Sequence, residues 1–303
     1  MDLNFVLFPA PVPSYTYLSL SSRLIFIPRA PITSFKSDFT AIKDYGKEPA
    51  FIPCLFLKSN TSSSKIILYF HGNAEDIGQT QELMENVKDS LGHHIIAVEY
   101  PGYGIYPGYP SADRLIEDGI NIYDYVANEL KWKEENIILF GRSIGTGPAI
   151  HLAALKNPAA LVSMSAYTSV RAIVHRIAGG ILQYVLRERF RNKDMIKYVQ
   201  CPTFLIHGLK DQLIPYAESQ ELLKACQGAP CYLSLPEEMD HGEFDFFNDL
   251  SHPLKDFLES FEITAKSKEE TTGRFSDELR VLPPNYPNLQ PPGFFKRLMQ
   301  KHL

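Results

Sequence analysis

The sequence predicts an α/β fold: a mostly parallel central sheet, helices on both faces and a helical cap insertion. Three observations carry that prediction. Between Lys65 and about Phe261, short apolar runs alternate with amphipathic stretches, the pattern of βαβ units. The runs are mainly aliphatic or aromatic, as strands buried on both faces tend to be. A segment from Thr168 to Val199 then breaks the alternation between two of these runs. With 303 residues, 45% of them hydrophobic and 21% charged, the chain has the composition to bury one large core.

Residues 1–40 mix apolar side chains with Pro9, Pro11, Pro13, Pro28 and Pro31. They read as an extended apolar arm, either packed on the domain or laid on a membrane. The arm opens without a basic segment and prolines cut it early, so a signal peptide is not expected. The domain is expected over 41–263. Its strands are expected at Ile66 to Phe70, Ile95 to Glu99, Ile137 to Phe140, Leu161 to Ser165, Phe204 to His207 and Tyr232 to Leu235. Helices fall between them. Leu83, Val87 and Leu91 recur at spacing four with Met84 beside them, and Leu250, Leu254, Phe257, Leu258 and Phe261 repeat the stripe in the last helix. These stripes are core packing. The insertion, about 168–199, carries Ala178-Gly-Gly180 between two amphipathic pieces and reads as a cap over a pocket. Residues 264–303 turn Lys/Glu-rich and then Pro-rich and are expected to be a disordered tail, with Phe294 to Met299 as a small docking element.

Gly141-Arg-Ser143-Ile-Gly145 fits G-x-S-x-G, in which glycines let a strand reverse sharply into a helix with the serine at the apex. The pattern alone recurs by chance, so context decides. Here it follows the apolar run from Asn136 to Phe140 and opens the helical stretch from Thr146 to Ala154, with Pro148 tolerable in a first turn. Ser143 is the candidate nucleophile, and the backbone N–H of Ile144, at a helix start, is the candidate oxyanion donor. A second donor is expected from the loop after an earlier strand. His71-Gly-Asn-Ala-Glu-Asp76 follows Phe70, which assigns it to the backbone of Asn73, with Ala74 as the alternative; His71 reads as a brace for that loop.

The acid and the base should follow in that order, each just past a later strand. His207-Gly-Leu-Lys-Asp211 places a carboxylate there, and the run ending at Leu235 is followed by Pro-Glu-Glu-Met-Asp-His241. Asp211 is the candidate acid, with Asp194 in the cap as its rival. His241 is the candidate base, because it alone among the nine histidines lies in a loop that follows a strand after Asp211. Asp240 adjoins His241 but is a poor orienter, since adjacent side chains diverge.

At these residues the chain resembles the α/β-hydrolase-domain 17 branch of serine hydrolases, which act as protein depalmitoylases. The resemblance covers roughly residues 20 to 262. It rests on Phe70-His-Gly-Asn-Ala-Glu-Asp76, Tyr100-Pro-Gly-Tyr-Gly104, Phe140-Gly-Arg-Ser-Ile-Gly-Thr-Gly147, His207-Gly-Leu-Lys-Asp211 and the His241 loop. It implies the α/β-hydrolase fold and, as substrate, a fatty acyl thioester on a membrane-associated protein cysteine. Members of that branch carry an acylated N-terminal cysteine cluster; here no cysteine precedes Cys54.

The residues themselves do not distinguish ester from thioester. A general carboxylesterase, an aminopeptidase-like hydrolase and a catalytically silent binding protein on the same fold stay open beside the depalmitoylase reading. None of these needs a metal or organic cofactor. The net charge of −5 and the absence of zinc-like spacing argue against nucleic acid as partner. Cys54, Cys201, Cys226 and Cys231 show no paired spacing, so no disulfide framework is expected and a reducing, cytoplasmic setting follows. No uncharged run approaches the ~20 residues of a spanning helix. Peripheral attachment is the alternative to free solution. The cap holds Arg171, Arg176, Arg187, Arg189, Arg191, Lys193 and Lys197 against only Glu188 and Asp194, which suits either an anionic membrane surface or a solvated basic face.

Overall fold

Eight strands build the sheet in the computed structural model, which describes residues 7–29, 50–173, 189–265, 275–283 and 286. In chain order they are β1 (Leu24–Pro28), β2 (Phe51–Leu57), β3 (Ile66–Phe70), β4 (His94–Val98), β5 (Ile137–Arg142), β6 (Ala160–Met164), β7 (Thr203–Ile206) and β8 (Cys231–Ser234). Their spatial order is β1-β2-β4-β3-β5-β6-β7-β8. The first two pairings, β1 with β2 and β2 with β4, are antiparallel, and all the others are parallel.

The six strands expected from the sequence are all present, with ends shifted by a residue or two. Glu99 and His207 lie just beyond their strands, with their side chains bonded into the loops at the carboxyl edge. Alternate residues feed two cores, one on each face of the sheet. Leu68, Phe70, Leu139, Leu161 and Leu205 face one core, into which α2 (Ala112–Asp124), α3 (Thr146–Leu155) and α5 (Ala217–Ala225) pack; the four-residue α4 spans Asn192–Met195. Ile67, Tyr69, Phe140, Val162 and Ile206 face the other, covered by α1 (Gln81–Leu91) and α6 (His252–Ser260). The expected stripes are what α1 and α6 bury: Met84 and Val87 on one, Leu254, Phe257 and Leu258 on the other. No described helix is long and apolar enough to cross a membrane.

Two expectations need correction. The stretch read as an arm contributes β1, an edge strand, and β2 was not foreseen. Both contain proline, which argues against a central strand because it removes a ladder donor. Pro28 sits at the end of an edge strand, and Pro53 lies one residue before the β2–β4 ladder, which runs from Cys54 to Leu57. Neither position needs an N–H there. The stretch expected to be a disordered tail also packs on the domain where it is described. Phe275 stacks on Phe56 with centroids 3.9 Å apart, Leu279 is buried, the Tyr17 hydroxyl donates to the Arg280 carbonyl, and Tyr286 meets Phe26 edge-on. These apolar residues, spaced among charged ones, pack against side chains of β1 and β2 at the antiparallel end of the sheet.

The cap is described at its ends, 168–173 and 189–199. Its middle, with Ala178-Gly-Gly180, Arg176, Arg187 and Glu188, lies outside the described residues, as does the docking element at Phe294 to Met299.

Candidate active site

The sharp turn at the end of β5 is built by two glycines. A Cβ added at Gly145 would collide with the Phe70 carbonyl oxygen and stand 2.6 Å from that of His71; one at Gly141 would collide with the Gly145 carbonyl oxygen. Close approach of β5 to the end of β3 therefore excludes any side chain at Gly145. The turn puts Ser143 at φ +51°, a left-handed conformation that a serine holds only when its surroundings over-determine it. Thr146 at the start of α3 helps, its hydroxyl donating to the Ser143 carbonyl at 2.7 Å. Gly145→Ala is expected to destabilise the fold by about 3 kcal/mol, since the clash is with backbone that has no room to yield. Thermal unfolding measures it; an unchanged midpoint would contradict the packing account.

The structure brings the three triad candidates together from the carboxyl ends of β5, β7 and β8. His241 Nε2 lies 3.1 Å from Ser143 Oγ, and His241 Nδ1 lies 2.8 Å from Asp211 Oδ2. A carboxylate only accepts, so Nδ1 carries the proton and Nε2 is left to accept from the serine hydroxyl. Asp211 is buried, and its other oxygen accepts the N–H groups of Leu213 and Ile214 at 3.0 and 2.8 Å. Burial alone would raise its pKa. Hydrogen bonds from His207, His241 and the Ile214 amide outweigh that and hold the carboxyl well below the usual range.

His207 is a supporting residue that the sequence reading passed over. It is fully buried, its Nε2 2.7 Å from the Ile214 carbonyl and 3.3 Å from Asp211 Oδ2, its Nδ1 2.6 Å from Ser219 Oγ. Nε2 therefore carries the proton, and His207 ties the acid loop into one unit. The rival Asp194 pairs with Arg191 at 2.7 Å in the cap and has no hydrogen bond to His241. Asp240 accepts the Gly242 and Glu243 amides in a tight turn.

The His71–Asp76 loop passes beside the elbow: a Cβ on Gly72 would lie 3.8 Å from that of Ser143. The first turn after Ser143 leaves the Ile144 N–H without an intrahelical carbonyl, and among the described residues the Asn73 N–H has no protein acceptor. Below the loop, His71 Nδ1 lies 2.9 Å from the Gly72 carbonyl and Nε2 3.1 Å from Glu99 Oε1. Both nitrogens face acceptors, so both carry protons and the ring is an imidazolium beside a buried carboxylate. Burial pulls its pKa down, but Glu99 outweighs that and the net shift is upward. His71 thus braces the loop.

Two further residues lock loop to elbow. Glu75 accepts the Gly72 amide and pairs with Arg142 at 3.2 Å; Arg142 Nη2 also donates to the His241 carbonyl at 3.0 Å. One guanidinium thereby joins the elbow, the His71–Asp76 loop and the His241 loop. The available signal was a complementary charge pair, Glu75 and Arg142, inside two motifs that must meet. Arg142→Ala is expected to lower kcat about 10- to 100-fold with KM little changed, because small misplacement of reacting groups is costly. Glu75→Gln should do the same without further loss in the double variant. Steady-state kinetics decide it, and additive losses would separate the two residues.

Comparison with known proteins finds similar sequences and similar folds. A family described as serine aminopeptidase, S33, matches residues 61–196. Human alpha/beta hydrolase domain-containing protein 17B is 27% identical over 207 residues, 68% of this chain and 70% of that protein. Among solved structures, an esterase of Pyrococcus furiosus superposes with a TM-score of 0.63 at 17% identity, covering 84% of this chain and 98% of the esterase. A monoacylglycerol lipase of Paleococcus ferrophilus superposes with a TM-score of 0.52 at 17% identity, covering 69% and 99%. At such identities the structural likeness speaks for the fold alone. Sheet order and solved neighbours agree on the α/β-hydrolase fold, and in sequence the chain resembles the domain 17 branch of α/β-hydrolases.

Proposed function

We propose that the protein is a serine hydrolase that cleaves acyl esters or thioesters, with S-acylated protein as its leading substrate. One observation carries the reaction class: Ser143, at φ +51°, stands 3.1 Å from a histidine whose far nitrogen is 2.8 Å from a buried carboxylate. Ser143 Oγ attacks the carbonyl carbon while its proton passes to His241 Nε2. The Ile144 and Asn73 amides hold the oxyanion. Collapse expels the thiol or alcohol, which takes the proton from His241. Water then attacks the acyl-enzyme, giving a proton to His241, and the bond to Ser143 breaks as His241 returns that proton to Ser143 Oγ, releasing the acid and restoring the neutral imidazole. Asp211 fixes the imidazole and stabilises its cationic form throughout. These steps involve no metal or organic cofactor.

The substrate class rests on the likeness to the domain 17 proteins. The matched family's description makes an aminopeptidase the rival. Its substrate presents a charged amino terminus, and the described cap ends carry Arg171, Arg189, Arg191, Lys193 and Lys197 against Asp194 alone. Turnover of a palmitoyl-cysteine peptide, a matched oxygen ester and an aminoacyl amide separates the readings. The first two should be cleaved and the third left intact; cleavage of the amide alone would overturn the proposal.

The same proposal sets the enzyme in the cytoplasm, at the cytosolic face of membranes, with the basic cap toward anionic lipid. Arg191 and Lys197 share Asp194, and Lys193 meets Glu221 at 2.7 Å, so part of the cap's charge is balanced within the protein. Equal binding to vesicles with and without anionic lipid would remove this part of the proposal.

A further inference from the structure

We propose that residues 7–20 are a positioning element of the active site: seated on the His71–Asp76 loop, they hold the Asn73 amide where an oxyanion needs it. The proposal rests on the serine-hydrolase reading above.

The loop from His71 to Thr80 belongs to neither strand nor helix, and Ala74 within it sits at φ +59°. No backbone ladder fixes such a segment, so side-chain anchors must over-determine it. Three come from the arm directly and a fourth through Glu99. The Leu7 carbonyl accepts from Asn73 Nδ2 at 2.8 Å, while Asn73 Oδ1 accepts the Tyr103 hydroxyl at 2.8 Å, so the side chain of the oxyanion residue is fixed at both ends. The Ser14 amide donates to Asp76 Oδ2 at 2.7 Å, and the Ser14 hydroxyl to Asp76 Oδ1. The buried Tyr15 hydroxyl donates to Glu99 Oε2 at 2.8 Å.

That last bond connects furthest. Glu99 also accepts the Ile77 amide at 3.3 Å and His71 Nε2 at 3.1 Å, and His71 Nδ1 donates to the Gly72 carbonyl, one residue before Asn73. Tyr15, Glu99, His71 and Gly72 form a continuous buried chain from arm to oxyanion loop. Burial, then the charge of Glu99, pushes the Tyr15 hydroxyl up, so it stays a donor. Phe8 extends the contact to the cap: it is buried and meets Phe190 edge-on at 6.4 Å. The arm therefore touches both the His71–Asp76 loop and Phe190 at the cap end, while leaving Val12 and Leu18 exposed.

The test compares wild type with the Ser14→Ala/Tyr15→Phe double variant, which removes two hydroxyls and no apolar packing. Two quantities are read: hydrogen exchange of amides 72–77, and kcat per active site titrated with a fluorophosphonate. Exchange in the loop should rise about tenfold or more while β3 and α3 stay protected. In the same variant, kcat per titrated site should fall about tenfold at unchanged KM. Ser14→Thr should retain both wild-type values. A purely structural role would lower the titratable fraction and leave kcat per site intact, which overturns the proposal, as does unchanged loop exchange. A wild type that neither labels nor turns over ester overturns the hydrolase reading, and the catalytic half of this proposal with it, even where loop exchange responds.

Discussion

His241→Ala is expected to lower turnover of an acyl ester by about 10⁵- to 10⁶-fold, the scale seen when a relay acting as a unit loses its base. The geometry explains the size. His241 Nε2, 3.1 Å from Ser143 Oγ, is placed to take the nucleophile's proton and to return it to the leaving group in both half-reactions. No other imidazole is within hydrogen-bond reach of Ser143 among the described residues. The side chain is partly exposed and serves no core, so the variant should unfold within a few degrees of wild type. Steady-state kinetics with an oxygen ester measure the loss. A decrease under about 100-fold, the low end for general acid–base catalysis, would mean that His241 is not the base.

Asp211→Asn is expected to cost about 10⁴-fold in kcat at neutral pH with KM nearly unchanged. An amide at this position offers an N–H to Nδ1 and favours the tautomer that leaves Nε2 protonated, unable to accept from Ser143. The variant also carries a stability signature. The Asp211 carboxyl is depressed in the folded protein by His207, His241 and the Ile214 amide. Its stabilising contribution is complete above the unfolded carboxyl pKa of about 4 and is lost as pH falls through that value toward the folded one. Wild type should lose stability across that acid window, and Asp211→Asn should show a flatter acid limb. Denaturant unfolding between pH 6 and the acid limit reads both curves; parallel curves would mean that the carboxylate is not held by these partners.

Much of this site was legible because its parts are local. Gly141, Ser143 and Gly145 announce a turn within five residues, and the strand before and helix after them are strong periodic signals. Asp211 and His241 follow from chain order, since each parallel strand delivers its loop to the same edge. The less legible parts depend on contacts between distant segments. Arg142 and Glu75 are 67 residues apart and meet only once β5 lies beside β3. His207 looks like the end of an apolar run until its ring turns into the acid loop. β1 and β2 were obscured by Pro28 and Pro53, harmless only at the ladder positions they occupy. Phe275, Leu279 and Tyr286 were hidden in a tail whose charge and proline content argue for disorder, because packing by a few isolated apolar residues leaves no periodic trace.

The central claim is that Ser143 is an activated nucleophile, and labelling by a fluorophosphonate, with the adduct mapped to its peptide, tests it most directly. The account predicts one adduct, on the peptide containing Ser143, that disappears in Ser143→Ala and forms far more slowly in His241→Ala. An unlabelled wild type, or equal labelling of wild type and Ser143→Ala, would contradict it.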